Sequence, residues 1–304
     1  MSTSQEGIVA IKRVHSANPA DLSGWINGFL GVLIFSGSLP ATRLAVQEMN
    51  PFFLTFLRAS IAGIVAIALL FIFRQKRPAR HQLASLMVVA AGVVIGFPLL
   101  TALALQHISS SHSIVFLGML PLATAIFGAI RGGERPRLPF WVFSTVGSLL
   151  VGGFALSQSA SVSAVGDLLM LASVLVCGLG YAEGARLSRE LGGWQVICWA
   201  LILSLPWMLV ATSMSLPGEI SAISVKGWLA LGYVSLFSML IGFIFWYKGL
   251  ATGGIAAVGQ LQLLQPFFGL GLSALLLSET VSLLMLMVTL GVILCVLGSR
   301  KFAH

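Results

Sequence analysis

The stretch MLPLATAIFGAIRGGE, Met119–Glu134, sets a proline inside an apolar run and closes the run with Gly-Gly-Glu. In a soluble helix Pro121 would remove a backbone donor and strain the preceding turn. Further along, LQPFFGLGLSALLLSE, Leu264–Glu279, has the same shape. The two align without a gap at an offset of 145, Pro121 over Pro266 and Glu134 over Glu279, with three identities in sixteen positions. The echo points to a duplication; the plainer alternative is that each proline merely kinks its own helix.

Composition decides the setting of that echo. Of the 304 residues, 58% are hydrophobic and 9% charged, with a mean hydropathy of +1.00. Soluble domains carry about 25% charged residues, so this chain reads as an integral membrane protein. The 33 glycines agree, because small residues let membrane helices approach closely. Gly92-x-x-x-Gly96 and Gly180-x-x-x-Gly184 are examples. Cys177, Cys198 and Cys295 all sit in apolar runs, which predicts packing roles and gives no disulfide framework or metal site. The polar N-terminus is followed by no small-residue cleavage site, so a removed signal peptide is not expected.

A hydrocarbon core of about 30 Å takes around 20 apolar residues per helix. Ten such runs can be read, at about 25–45, 52–73, 82–105, 111–130, 138–157, 166–187, 195–216, 227–250, 254–277 and 282–299. They are continuously apolar rather than alternating, which favours helices over a barrel. The net charge of +8 would suggest nucleic acid on a soluble domain; here it reads as topology. With the N-terminus inside, fourteen Lys and Arg fall on inner segments (Lys12, Arg13, Arg74, Lys76, Arg77, Arg80, Arg131, Arg135, Arg137, Arg186, Arg189, Lys248, Arg300 and Lys301) and Lys226 alone on outer loops. That positive-inside bias predicts two cytoplasmic termini.

Five spans precede the serine-rich join SQSASVSA (Ser157–Ala164) and five follow it. An odd repeat unit must insert its copies in opposite orientations. The expected organisation is a cytoplasmic tail 1–24, a five-helix repeat 25–157, an outer linker 158–165, an inverted repeat 166–299 and a tail 300–304. Inverted repeats typify secondary transporters, whose sites lie between the halves near the midplane.

At this point the chain resembles the EamA-type branch of the drug/metabolite transporter superfamily over about residues 25–299. FSGSLPATRLAV (Phe35–Val46) resembles the family's first-helix motif, with Phe35 where tryptophan is usual and Arg43 where lysine is common. NPFFLTFLRASIAG (Asn50–Gly63) resembles the second helix, and the segment running through Pro121 to Glu134 the third and fourth. GDLLMLASVLVCGLGYAEGARLSREL and FIFWYKGLATGGIAAVGQLQLLQPFFGLGLSALLLSE resemble the sixth, eighth and ninth. The resemblance implies a gradient-linked carrier with a cavity between helices 1–4 and 6–9, helices 5 and 10 being peripheral. Bacterial inner-membrane exporters of aromatic and other neutral amino acids are the relatives it resembles most.

An ionisable group within a span marks function by default. Arg58 reads either as a carboxylate partner or gate element or as a structural arginine bonded to carbonyls. Arg43 is expected to snorkel toward the interface near Glu48, Glu183 to pair with Arg186 at i,i+3, and Asp167 to suit the start of its helix. His107 and His112 flank the turn between spans three and four, as interfacial residues or as a gate. Gln260, Gln262 and Gln265 put three amides into one span, facing the interior because an amide in lipid is expensive. Gln262 and Gln265 share a face, and Pro266 leaves the Gln262 carbonyl without its helical donor, making this pair the candidate substrate ligands. Ser36, Ser38, Phe97, Thr101, Phe116, Ser235 and Ser238 are cavity candidates by depth, and Pro121 and Pro266 packing or gating elements. Trp246, Tyr247 and Lys248 read as an interfacial belt.

The function expected is a secondary exporter of small zwitterionic metabolites, amino acids foremost, in the lipid bilayer of a bacterial inner membrane. It is expected to work as a monomer with a small-molecule substrate, no cofactor, no metal and no nucleic acid. A drug, sugar or nucleoside carrier of the same fold is the alternative. An intramembrane enzyme lacks any nucleophile motif, metal-ligand pair or phosphate-cradling loop, and a receptor or scaffold would suit longer loops.

Overall fold

Asn50 and Pro51 illustrate how the helices begin. The Asn50 side chain accepts the Phe52 N–H at 2.9 Å, and Pro51 opens the helix where its missing N–H has no partner to lose. In the computed structural model, residues 19–108, 113, 116–157, 163–269 and 283–303 are described. They form α1 (Pro19–Ser36), α2 (Ser38–Val46), α3 (Pro51–Ile72), α4 (Arg80–Val89), α5 (Phe97–His107), α6 (Leu120–Gly132) and α7 (Leu138–Ser157). After the join come α8 (Ala164–Leu191), α9 (Gly193–Met214), α10 (Val225–Gly232), α11 (Gly242–Gly253), α12 (Ile255–Gly259) and α13 (Leu283–Arg300). Among the described residues six rods are long and apolar enough to cross a bilayer: Leu22–Val46, Pro51–Ile72, Arg80–His107, Ala164–Leu191, Gly193–Met214 and Val225–Gly253.

Several spans that read as continuous are broken or rewound. Gly37 turns the chain between α1 and α2. Ala90–Gly96 and Tyr233–Ile241 are π-helical, and Gln260–Leu264 is a 3₁₀ segment after which α-helix resumes at Gln265. Such rewinding is common at functional sites. Pro121 and Pro266 receive a shared explanation. Pro121 is the second residue of α6, after a turn at Gly118–Met119, and Pro266 is the second residue of the helix that resumes at Gln265. Neither proline interrupts a helix; each starts one. Gly-Gly-Glu then ends α6, with Gly133 at φ +70°, a left-handed conformation that favours glycine. Glu279, the linker residues 158–162 and His112 lie outside the described residues.

Glycine sets how closely the rods pack. A Cβ on Gly92 would lie 3.1 Å from the Gly180 Cα, so the two sequence motifs meet each other. Between α1 and α11 the approach is tighter: a Cβ on Gly24 would lie 2.5 Å from the Gly253 N, and one on Gly249 2.5 Å from the Gly28 N. The described termini meet at one end of the bundle, where the Arg300 guanidinium lies over the Trp25 ring at 4.8 Å. All three cysteines are free and buried. α7 packs on α13 at the side of the bundle through Gly147 against Cys295 and Gly298 against Phe143.

Trp246 and Tyr247 correct the sequence reading. Both are fully buried: Trp246 meets Phe35 and Tyr181 edge-on, and the Tyr247 hydroxyl donates to the Gly180 carbonyl at 3.1 Å. Close packing of α11 on α1 and α8 removes them from the interface, and only Lys248 is exposed.

Candidate functional site

A cavity with about 560 Å³ of unfilled space lies between the two halves. From the first half, Phe35, Ser38, Leu39 and Thr42 line it as one helical face, with Arg58 beside them. Val93, Phe97, Pro98 and Thr101 add a second wall, and Leu117 and Leu120 close it. The second half contributes Tyr181, Ser238, Phe243 and Gln265. Among the described residues α7, α9 and α13 contribute nothing to the lining.

Of the residues singled out in the sequence, Ser38, Arg58, Phe97, Thr101, Ser238 and Gln265 are brought together here. Others are not. Ser36 falls off the 35/38/39/42 face and donates to the Val32 carbonyl at 2.8 Å. Ser235 donates to Leu231 at 2.6 Å; in the π segment i→i+5 winding puts Ser238 and Phe243 on the wall instead. Gln260 is buried against α7, its Nε2 donating to Ser144 Oγ at 3.0 Å, which makes it a link between helices. Gln262 is one layer too deep: Tyr181 stands beside its amide and itself faces the cavity. Among the described residues neither Gln262 amide atom makes a hydrogen bond of normal geometry. The Gln262 carbonyl is also not left open by Pro266, because it accepts the Gln265 N–H. Phe116 packs half-buried against the core, away from the lining. His107 ends α5 exposed, and Pro121 is buried in α6 without facing the cavity.

The break at Gly37 is stitched by the second half. The Gln265 Nε2 donates to the Phe35 carbonyl at 3.2 Å, and the Tyr233 hydroxyl to the Ile34 carbonyl at 2.6 Å. Thus two carbonyls at the broken turn find side-chain donors on other rods. Phe35, in the position where the resemblance led one to expect tryptophan, packs edge-on against Phe243 with centroids 5.1 Å apart. Tyr181, Thr42 and Phe243 were missed in the sequence. Tyr181 lies inside Gly180-x-x-x-Gly184, a spacing that marks helix contact and could have flagged it.

Charged groups close the termini end. Glu183 is fully buried and accepts from Arg131 Nε at 2.9 Å and Arg186 Nη2 at 2.6 Å. The predicted i,i+3 pair therefore exists, with Arg131 from α6 as a second partner. At the opposite end Arg43 does not reach toward Glu48; its guanidinium donates to the Leu105 carbonyl, which lies within reach at the end of α5. Glu48 instead accepts the Ser224 N–H at 2.7 Å and hydroxyl at 2.8 Å. Those two bonds hold its carboxyl below the usual carboxylate range. Asp167 lies in the first turn of α8, as expected of a carboxylate at a helix start.

The chain's sequence matches the model of the EamA-like transporter family twice, over residues 22–155 and 164–300. It is 66% identical over 281 residues to "Uncharacterized transporter YdeK" of Bacillus subtilis (strain 168), covering 92% of this chain and 98% of that relative. It is 24% identical over 279 residues to "Uncharacterized inner membrane transporter YedA" of Escherichia coli (strain K12), covering 89% of each. A solved crystal structure superposes with a TM-score of 0.74 at 19% identity over 93% of this chain and 98% of its own, a likeness of fold. An all-helical bundle of apolar rods around a two-sided cavity, with each half matching the same transporter model, leads to one conclusion: the chain belongs to the EamA-like transporter family.

Proposed function

We propose that the chain is a secondary carrier of the inner membrane that exports small, amino-acid-like metabolites by alternating access. The observation that carries this reading is the cavity itself, walled by residues of both halves. Polar groups (Ser38, Arg58, Thr101, Ser238 and Gln265) share it with aromatic walls, which suits a metabolite with one polar end and one apolar end.

In this reading the halves 25–157 and 166–299 are inverted repeats in a ten-span bundle, and both termini are cytoplasmic. The matching helix-start positions of Pro121 and Pro266 and the two family matches support the duplication. The fourteen-to-one charge count supports the orientation. At the termini end the Arg131–Glu183 ion pair joins α6 to α8, an ionic contact between the halves that an opening movement would have to break.

Purified protein in ATP-free liposomes, preloaded with a panel of amino acids, tests the carrier: solute should leave down its gradient. An absolute nucleotide requirement overturns it. Impermeant thiol labelling of Thr3→Cys and His304→Cys in intact cells tests the orientation, and labelling from outside overturns it.

A further inference from the structure

Arg58 is the most deeply buried charge facing the cavity, 6% exposed in the middle of α3. Its only hydrogen bond among the described residues is a long one, Nη2 to Ser238 Oγ at 3.5 Å, and its Nε has none. No carboxylate lines the cavity among the described residues. The acidic groups that could neutralise it are engaged elsewhere: Glu48 with Ser224, Glu134 with α12, and Glu183 with Arg131 and Arg186. A guanidinium at this depth is expensive unless an anion meets it.

Its surroundings are arranged for that anion. Ser238 Oγ accepts from both Arg58 and Ser38, the latter at 2.7 Å, so its own proton is left to donate into the cavity. Thr101 lines the same space, and its buried Oγ1 has no hydrogen-bond partner among the described residues. The same cavity is lined by Phe35, Phe97, Phe243 and Leu120. An ammonium group, by contrast, finds no acidic partner and shares the cavity with a like charge.

Building on the carrier reading above, we propose that the cavity recognises its substrate by the carboxylate, held by Arg58 and the Ser238 hydroxyl, and that the α-amino group is dispensable. The substrate class is then monocarboxylates with an apolar aliphatic or aromatic body, amino acids being members rather than the definition. A planar guanidinium meets a carboxylate through paired, charge-assisted bonds.

The test uses the full chain, in detergent and in liposomes, with probes that share one body: hydrocinnamate (carboxylate only), phenylalanine (zwitterion) and phenethylamine (ammonium only), with isovalerate as an aliphatic acid. Both acids and phenylalanine should raise the unfolding temperature and cross faster than in protein-free liposomes, while phenethylamine does neither. Arg58→Gln should weaken hydrocinnamate binding by about tenfold or more, the size of a lost charged contact, and Arg58→Lys should retain part of it. Should Arg58→Gln misfold, Ser238→Ala is the second variant, expected to weaken binding severalfold. Passage of phenethylamine with no response to any carboxylate overturns the anion site and leaves the carrier standing. Binding of hydrocinnamate without passage keeps the anion site and overturns the carrier. No response to either acid, or unchanged affinity in the folded variants, overturns the anion site.

Discussion

The Glu134 carboxylate accepts the backbone N–H of Ile255 at 2.7 Å, and through its other oxygen that of Ala256 at 2.7 Å. A residue at the end of α6 therefore holds the first turn of α12, which explains the Gly-Gly-Glu that closes the opening stretch. Gly133 turns the chain and Glu134 reaches across, with Arg189 3.3 Å from the same carboxylate. Glu134→Gln replaces one acceptor oxygen by an amide donor facing an N–H. It should lose about 1–3 kcal/mol, the cost of leaving a buried donor unpaired, read as a lower unfolding temperature of the purified protein. Unchanged stability would show that the contact contributes nothing.

Gly37→Ala should be severely disruptive. Its Cβ would lie 2.4 Å from the Tyr233 hydroxyl, which donates to Ile34. Folded yield should fall, and the double variant with Tyr233→Phe should recover little of it, because the ring Cζ would still lie 2.7 Å from the added Cβ. The same yield from the single variant as from the parent would mean that Tyr233 moves aside freely.

Gln262 and Gln265 should separate on substitution with leucine. Gln265→Leu removes a cavity-lining amide that also braces the Phe35 carbonyl, so transport should fall while a folded yield remains. Gln262→Leu replaces a buried amide that makes no hydrogen bond of normal geometry among the described residues and has the Tyr181 hydroxyl beside it, so stability should change little. A destabilised Gln262→Leu would reveal a partner for that amide.

Much of this was legible in the sequence because it depends on composition and spacing. Depth placed Ser38, Phe97, Thr101, Ser238 and Gln265 in the cavity, but it also selected Ser36, Phe116 and Ser235, and it left Arg58 as a gate or structural residue. What misled was phase and partner. Hydropathy does not distinguish a side chain facing lipid from one facing another helix, so Trp246 and Tyr247 read as a belt and proved to be core. A uniform 3.6-residue period also fails in the π segment Tyr233–Ile241, so Ser235 fell outside the lining while Ser238 faced it.

Glu48 gives a pH dependence with a definite sign. Its folded carboxyl titrates below its ordinary value, so the Ser224 contact stabilises the protein near neutrality and is lost as pH falls through that depressed value. Unfolding temperatures of the parent and Glu48→Gln should differ at pH 7 and converge in acid, below about pH 4.5. A gap that stays constant or widens on acidification contradicts the assignment.

The glycine seam between α1 and α11 has a mechanical consequence. Gly24 meets Gly253, and Gly28 meets Gly249, backbone to backbone, with only the Val258, Leu261 and Thr252 side chains beside them. If this end parts during a transport cycle, the seam can unzip smoothly, leaving the abrupt resistance to the ionic lock at Glu183. A single methyl group at Gly249 would then act as a doorstop, holding the two rods apart and trapping the carrier ajar on the side of its termini.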